Sequence, residues 1–150
     1  CGVLERLQDP GNVGTILRRA AAAGVRQVLC STDSVDVWSP KVLRAGMGAH
    51  YRIAIRQVRG LADMETVLAG AQRLLAAADA PDLYTQVDWT LPSLLIVGGE
   101  AHGARATAGW PGVRPIAIPM AQGVESLNVA MAASVILFEA QRQRSAVTLA

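Results

Sequence analysis

Three short segments carry the residues best suited to chemistry. The first, DPGNVGTILRRAAAAG (9–24), brings an amide (Asn12), a glycine (Gly14) and two guanidinium groups (Arg18 and Arg19) together around a helix start. Free backbone N–H groups at such a start favour anions, and a guanidinium forks onto phosphate. Helical spacing turns Val13, Ile16, Leu17 and Ala20 to the core and both arginines away from it, so periodicity does not choose between them. The second segment, LLIVGGEAHG (94–103), is an apolar run that delivers Gly98, Gly99 and Glu100 to its end. Glycines there let a ligand approach the backbone. A carboxylate so near a buried strand needs a partner, and Arg18 is a candidate. The third, 116–144, ends a strand at Pro119 and carries Gln122, Glu125, Ser126 and Asn128 into an apolar helix. A hydroxyl and an amide at a pocket mouth orient a substrate oxygen. The plainer reading makes Asn12, Ser126 and Asn128 helix caps and leaves the arginines solvated.

Other chemistries fit less well. The glycines do not form GxGxxG, so a nicotinamide cofactor is unsupported. Cys1 and Cys30 lack metal-ligand spacing, and His50 and His102 are isolated, so no metal is expected. Ser126 is outside any GxSxG elbow, which makes a serine hydrolase a poor alternative.

The elements that must position these residues alternate. Strands are expected at 3–7, 25–30, 52–58, 73–77, 93–97 and 113–118. Helices are expected from Asn12 as cap to about Ala23, from Ser39-Pro40, at 62–68 and from about Leu127 to Arg142. This order predicts an α/β domain with a mainly parallel sheet flanked by helices. Ligand sites in such sheets lie beyond the carboxyl ends of the strands. The last helix is apolar nearly all round, so it needs cover on more than one side. A dimer interface is one such cover, with burial inside a larger monomer as the alternative.

The chain has 150 residues, 51% apolar and 17% charged, enough for one domain with a core and too apolar for disorder. No run approaches membrane-helix length, and no signal peptide is legible, so a cytoplasmic location is expected. Between Arg18 and Arg59 lie Arg18, Arg19, Arg26, Lys41, Arg44, Arg52, Arg56 and Arg59, opposed only by Asp33 and Asp36. That asymmetry is compatible with a face that meets phosphates.

The three segments resemble, in order, the motifs of the SpoU/TrmH methyltransferases of the SPOUT superfamily. Asn12, Gly14, Ile16, Arg18 and Ala20 match the first motif. Gly98, Glu100 and Gly103 match the second, and Ile118 through Ala132 match the third. SPKVLRAGMGAHYRI also resembles the family's stretch after the second strand. Two departures are Gly46, where many relatives have Ser, and Gln122, where they have Gly.

The resemblance implies a C-terminal trefoil knot, a homodimer with sites at its interface, and S-adenosylmethionine as cofactor. It implies cofactor contacts from Gly98, Ile118 and Leu127, with Met120 nearby. It also implies methyl transfer to a ribose 2′-hydroxyl of RNA, ribosomal more than transfer RNA. Arg18, Asn12, Glu100, Ser126 and Asn128 are the catalytic residues it implies, with Arg18 at the hydroxyl. A guanidinium donates and does not accept, so anchoring the adjacent phosphate is the physically preferred role for Arg18. An inactive RNA-binding dimer of the same fold and a base-nitrogen methyltransferase are the alternatives. Because many relatives carry an upstream RNA-recognition domain, residues 1–150 are expected to be a catalytic domain cut from such a protein.

Overall fold

A computed structural model describes residues 1–67, 69–99 and 109–149. Six strands form one sheet: β1 (Gly2–Glu5), β2 (Gln27–Ser31), β3 (Ala54–Val58), β4 (Gln72–Ala76), β5 (Ser93–Gly98) and β6 (Val113–Ile116). Their order is β3-β2-β1-β5-β4-β6, and every neighbouring pair is parallel. The helices are α1 (Pro10–Ala22), α2 (Pro40–Gly46), α3 (Leu61–Glu65) and α4 (Val129–Leu149), with single 3-10 turns at Ala49–Tyr51 and Tyr84–Gln86.

Alternate residues of the central strands point to opposite faces, and both faces are covered. Leu4, Val28, Cys30, Leu74, Leu95 and Val97 join Val13, Leu17, Val42 and Ile136 in the larger core. Val3, Leu29, Leu75, Leu94 and Ile96 meet Val58 and Met64 on the other face. This explains why β5 reads as an unbroken apolar run.

Element boundaries moved for local reasons. β1 ends at Glu5, short of the expected Leu7, because Arg6 takes a left-handed φ of 53°. Asn12 is not the cap of α1. Asp9 is, accepting the Asn12 N–H at 2.8 Å, and Pro10 starts the helix where its missing N–H costs nothing. Gly14 is not open to an anion either. It is buried, and a Cβ there would clash with Ala45 and stand 2.8 Å from the Val42 carbonyl oxygen. Its role is to let α1 and α2 touch. Ser39 caps α2 as expected, with Pro40 next. β6 ends at Ile116, and Ala117 bridges to Leu83 beyond it.

α4 starts after the expected Leu127 and runs past the expected Arg142. Ala130, Ala133, Ile136, Leu137 and Ala140 form its buried stripe. Its second half is clasped to the segment before β5. The Gln143 side chain accepts the Trp89 N–H at 2.9 Å and donates to the Val87 carbonyl at 3.1 Å, and Arg144 donates to the Trp89 carbonyl at 2.7 Å.

Candidate active site at the carboxyl edge

Because all six strands are parallel, the loops after their carboxyl ends share one edge. The turn from β1 to α1 is held there by the loop after β2. Ser31 Oγ accepts the Arg6 N–H at 2.9 Å, and Ser34 Oγ accepts the Leu7 N–H at 3.1 Å. Arg6 Nε donates to Asp33 Oδ2 at 2.7 Å. The Ser31 hydroxyl and the Arg6 guanidinium together hold the Asp33 carboxyl below its ordinary range. Sequence reasoning missed this clasp. Its only trace was a polar run, Ser31 to Asp36, where a strand gives way to a helix.

Gly98 closes β5 and pairs with Glu5, and the Gly99 N–H donates to the Glu5 carbonyl at 2.9 Å. A Cβ on Gly99 would collide with the Arg6 carbonyl, so β5 leaves the sheet pressed against the β1 turn only because residue 99 is glycine. Glu100 and Gly103 lie outside the described residues, and the Arg18–Glu100 pairing with them.

The third segment reaches the first directly. Asn128 Nδ2 donates to Asn12 Oδ1 at 3.1 Å across 116 residues of sequence. Asn128 Oδ1 also accepts the N–H groups of Ala130 (2.9 Å) and Met131 (3.3 Å). It therefore caps α4, as the plainer reading has it, and fixes Asn12 at once. Ser126 is exposed, without a hydrogen bond among the described residues.

Arg18 is exposed, and among the described residues it has no ion pair. It follows Gly14 by four residues, so it lies on the α2 flank of α1. Asn12 lies about a third of a turn away, on the α4 flank. Arg19 is half-buried.

Ile118 and Met120 are half-buried, and Ile118 packs on the larger core. The chain turns at 121–124, where the Val124 N–H donates to Ala121 and Gly123 takes φ 87°. The N–H groups of Ile118, Met120, Ala121, Gln122 and Gly123 make no hydrogen bond among the described residues. Leu127 is partly exposed beside them. Burial pushes the Cys30 thiol up to about 12, which makes it a core residue and not a nucleophile. No group of three metal-ligating side chains occurs among the described residues. No helix among them is long and apolar enough to cross a membrane.

An edge with these contents, under a parallel sheet in this order, defines a class. The SpoU rRNA Methylase family model matches residues 2–138, and the chain belongs to that family. It is 42% identical over 144 residues to an uncharacterized tRNA/rRNA methyltransferase of Synechocystis, covering 95% of this chain and 53% of that protein. It is 38% identical over 148 residues to the 23S rRNA (guanosine-2′-O-)-methyltransferase of Pseudomonas syringae, covering 96% and 58%. The crystal structure of the SpoU methyltransferase AviRb from Streptomyces viridochromogenes, in complex with AdoMet, superposes with a TM-score of 0.87. It is 30% identical, and the match covers 97% of this chain and 58% of that one. The chain thus spans about half the length of the curated relatives it matches.

Proposed function

We propose that the carboxyl edge transfers a methyl group from S-adenosylmethionine to a ribose 2′-hydroxyl of RNA, ribosomal RNA before transfer RNA. The observation that carries this reading is the Asn12–Asn128 hydrogen bond, which joins the first and third segments across 116 residues of sequence. The Pseudomonas relative is named for 2′-O transfer to a guanosine of 23S rRNA, which supports ribose as the target.

The edge suits the cofactor. The N–H groups at 118 and 120–123, which bond to none of the described residues, would be donors for an adenosyl group, and half-buried Ile118 and Met120 offer apolar contact. Gly98 and Leu127 complete the set that would hold it. When bound, it supplies a methyl group already activated on a sulfonium. The protein's own task is to present the hydroxyl in line and to let its proton leave. In this reading Arg18 anchors the neighbouring phosphate. Asn12, Asn128 and Ser126 orient the ribose, and Glu100, outside the described residues, is assigned an orienting role with them. A C-terminal trefoil knot belongs to the same proposal.

A homodimer is part of it too. Met131, Val135 and Phe138 recur along one flank of α4, Leu127 lies just before its start, and each of the four is 38–47% exposed. A second copy would cover this flank, and exposed apolar side chains on one helix face support that reading.

The test is methyl transfer to RNA followed by product analysis. A methyl on ribose makes the adjoining linkage resistant to alkali. Resistance at the labelled nucleotide is the expected result. Label on a base nitrogen would overturn the ribose assignment, and no transfer by the full-length protein would favour an RNA-binding role.

A further inference from the structure

A second feature of the α2 region goes unused in the reaction. Trp38 is 53% exposed and Tyr51 is 96% exposed, although both adjoin well-packed backbone. Trp38 is held in place from below. Its ring centroid lies 5.2 Å from that of His50, tilted by 53°. Nε2 of His50 in turn lies 2.7 Å from the Val37 carbonyl oxygen. The Trp38 N–H donates to Asp36 Oδ1 at 2.9 Å. Tyr51 follows His50 in the 3-10 turn, and its N–H donates to the Gly48 carbonyl. Two fixed backbones thus present two aromatic rings to solvent.

Around them stand Lys41, Arg44 and Arg52, all exposed and none ion-paired among the described residues. The two acids of this region are engaged locally, Asp33 with Arg6 and Asp36 with the Trp38 N–H. With Asp33 paired to Arg6, the three cations face only Asp36, so the surface is net positive as well as aromatic. Its Trp38 end adjoins the candidate site, while Tyr51 precedes the amino end of β3. Trp38 sits in the loop after β2, on the carboxyl edge, and α2 packs on α1 at Gly14, one turn before Arg18 on the same flank.

We infer that Trp38 and Tyr51 form a stacking platform for unpaired RNA bases flanking the target nucleotide, with Lys41, Arg44 and Arg52 holding the intervening phosphates. The inference rests on RNA being the substrate. Exposed rings interleaved with cations are what a single strand uses, because every base has a face to stack and every linkage a charge to neutralise.

The test measures binding of a single-stranded and a duplex RNA oligonucleotide to the full-length protein, its Trp38→Ala, Trp38→Phe and Tyr51→Ala variants. S-adenosylmethionine titration and sedimentation serve as controls. Trp38→Ala is expected to weaken single-strand binding about tenfold or more, with Trp38→Phe restoring most of it. Duplex binding and cofactor affinity should not change. Wild-type binding with unaltered affinity in Trp38→Ala and Tyr51→Ala would overturn the platform alone. Failure of the wild type to bind either RNA would overturn the RNA reading and the platform with it. A Trp38→Ala variant whose oligomeric state changes would make this surface a subunit contact and also overturn the platform.

Discussion

Asn128 does two jobs with one amide, and the two are separable. Its oxygen caps α4 and its nitrogen reaches Asn12. Asn128→Ala should lose the cap and about 1 kcal/mol of stability in urea unfolding. Asn128→Asp should keep the cap, since a carboxylate accepts the same N–H groups, yet lose the donor to Asn12. Normal stability with impaired transfer is the expected outcome for Asp. Unimpaired transfer would mean that the contact is structural only. Arg18 stands apart from that pair on the other flank of α1. Arg18→Ala should lower kcat/KM by about 10²-fold or more while sparing cofactor affinity, read by steady-state kinetics and titration. The chemistry-bearing types were legible at this scale, but their geometry was not. Asn12 read as a cap because amides favour helix starts. The true cap is Asp9, three residues earlier, with Pro10 at the first helical position.

Among the elements, α1 and α4 carry the site, and each is fixed by a contact that spacing does not reveal. Gly14 lets α2 lie against α1, so Gly14→Ala should cost about 1–3 kcal/mol by overpacking, visible as a lower unfolding midpoint. α4 is clasped by Gln143 to Val87 and Trp89, and Glu139 braces it. Arg142 and then Gln143 hold the Glu139 carboxyl down at about 2. A lowered carboxyl stabilises the fold above its ordinary range and loses that effect as pH falls toward about 2. Glu139→Gln should therefore flatten the acid limb of the stability profile, with little change in the pH dependence near neutrality. The strand and helix order was legible because Val, Leu and Ile runs alternate with amphipathic ones. Boundaries shifted where a backbone turned left-handed at Arg6, or where a helix continued past Arg142 through Gln143 and Arg144 to Leu149.

For the whole molecule, the parallel sheet follows from its alternating elements, and the shared carboxyl edge follows from the sheet. What sequence did not supply is the pairing across that edge: the Ser31–Ser34–Asp33 clasp on the β1 turn, and β5 pressed on Arg6 at Gly99. Both depend on strands that are distant in sequence. The apolar character of α4 was legible, and in the structure its Met131, Val135 and Phe138 are 38–47% exposed. Met131→Glu together with Phe138→Glu should shift sedimentation from dimer to monomer, and an unchanged profile would place the subunit contact elsewhere. The most direct test of the central claim is calorimetric titration of the purified protein with S-adenosylmethionine at a concentration where its oligomeric state is known. One cofactor bound per subunit, with binding lost when Gly98 or Leu127 is replaced by a bulky charged residue, is the predicted result. A folded protein that takes up no S-adenosylmethionine would contradict the carboxyl-edge site and the methyl transfer assigned to it.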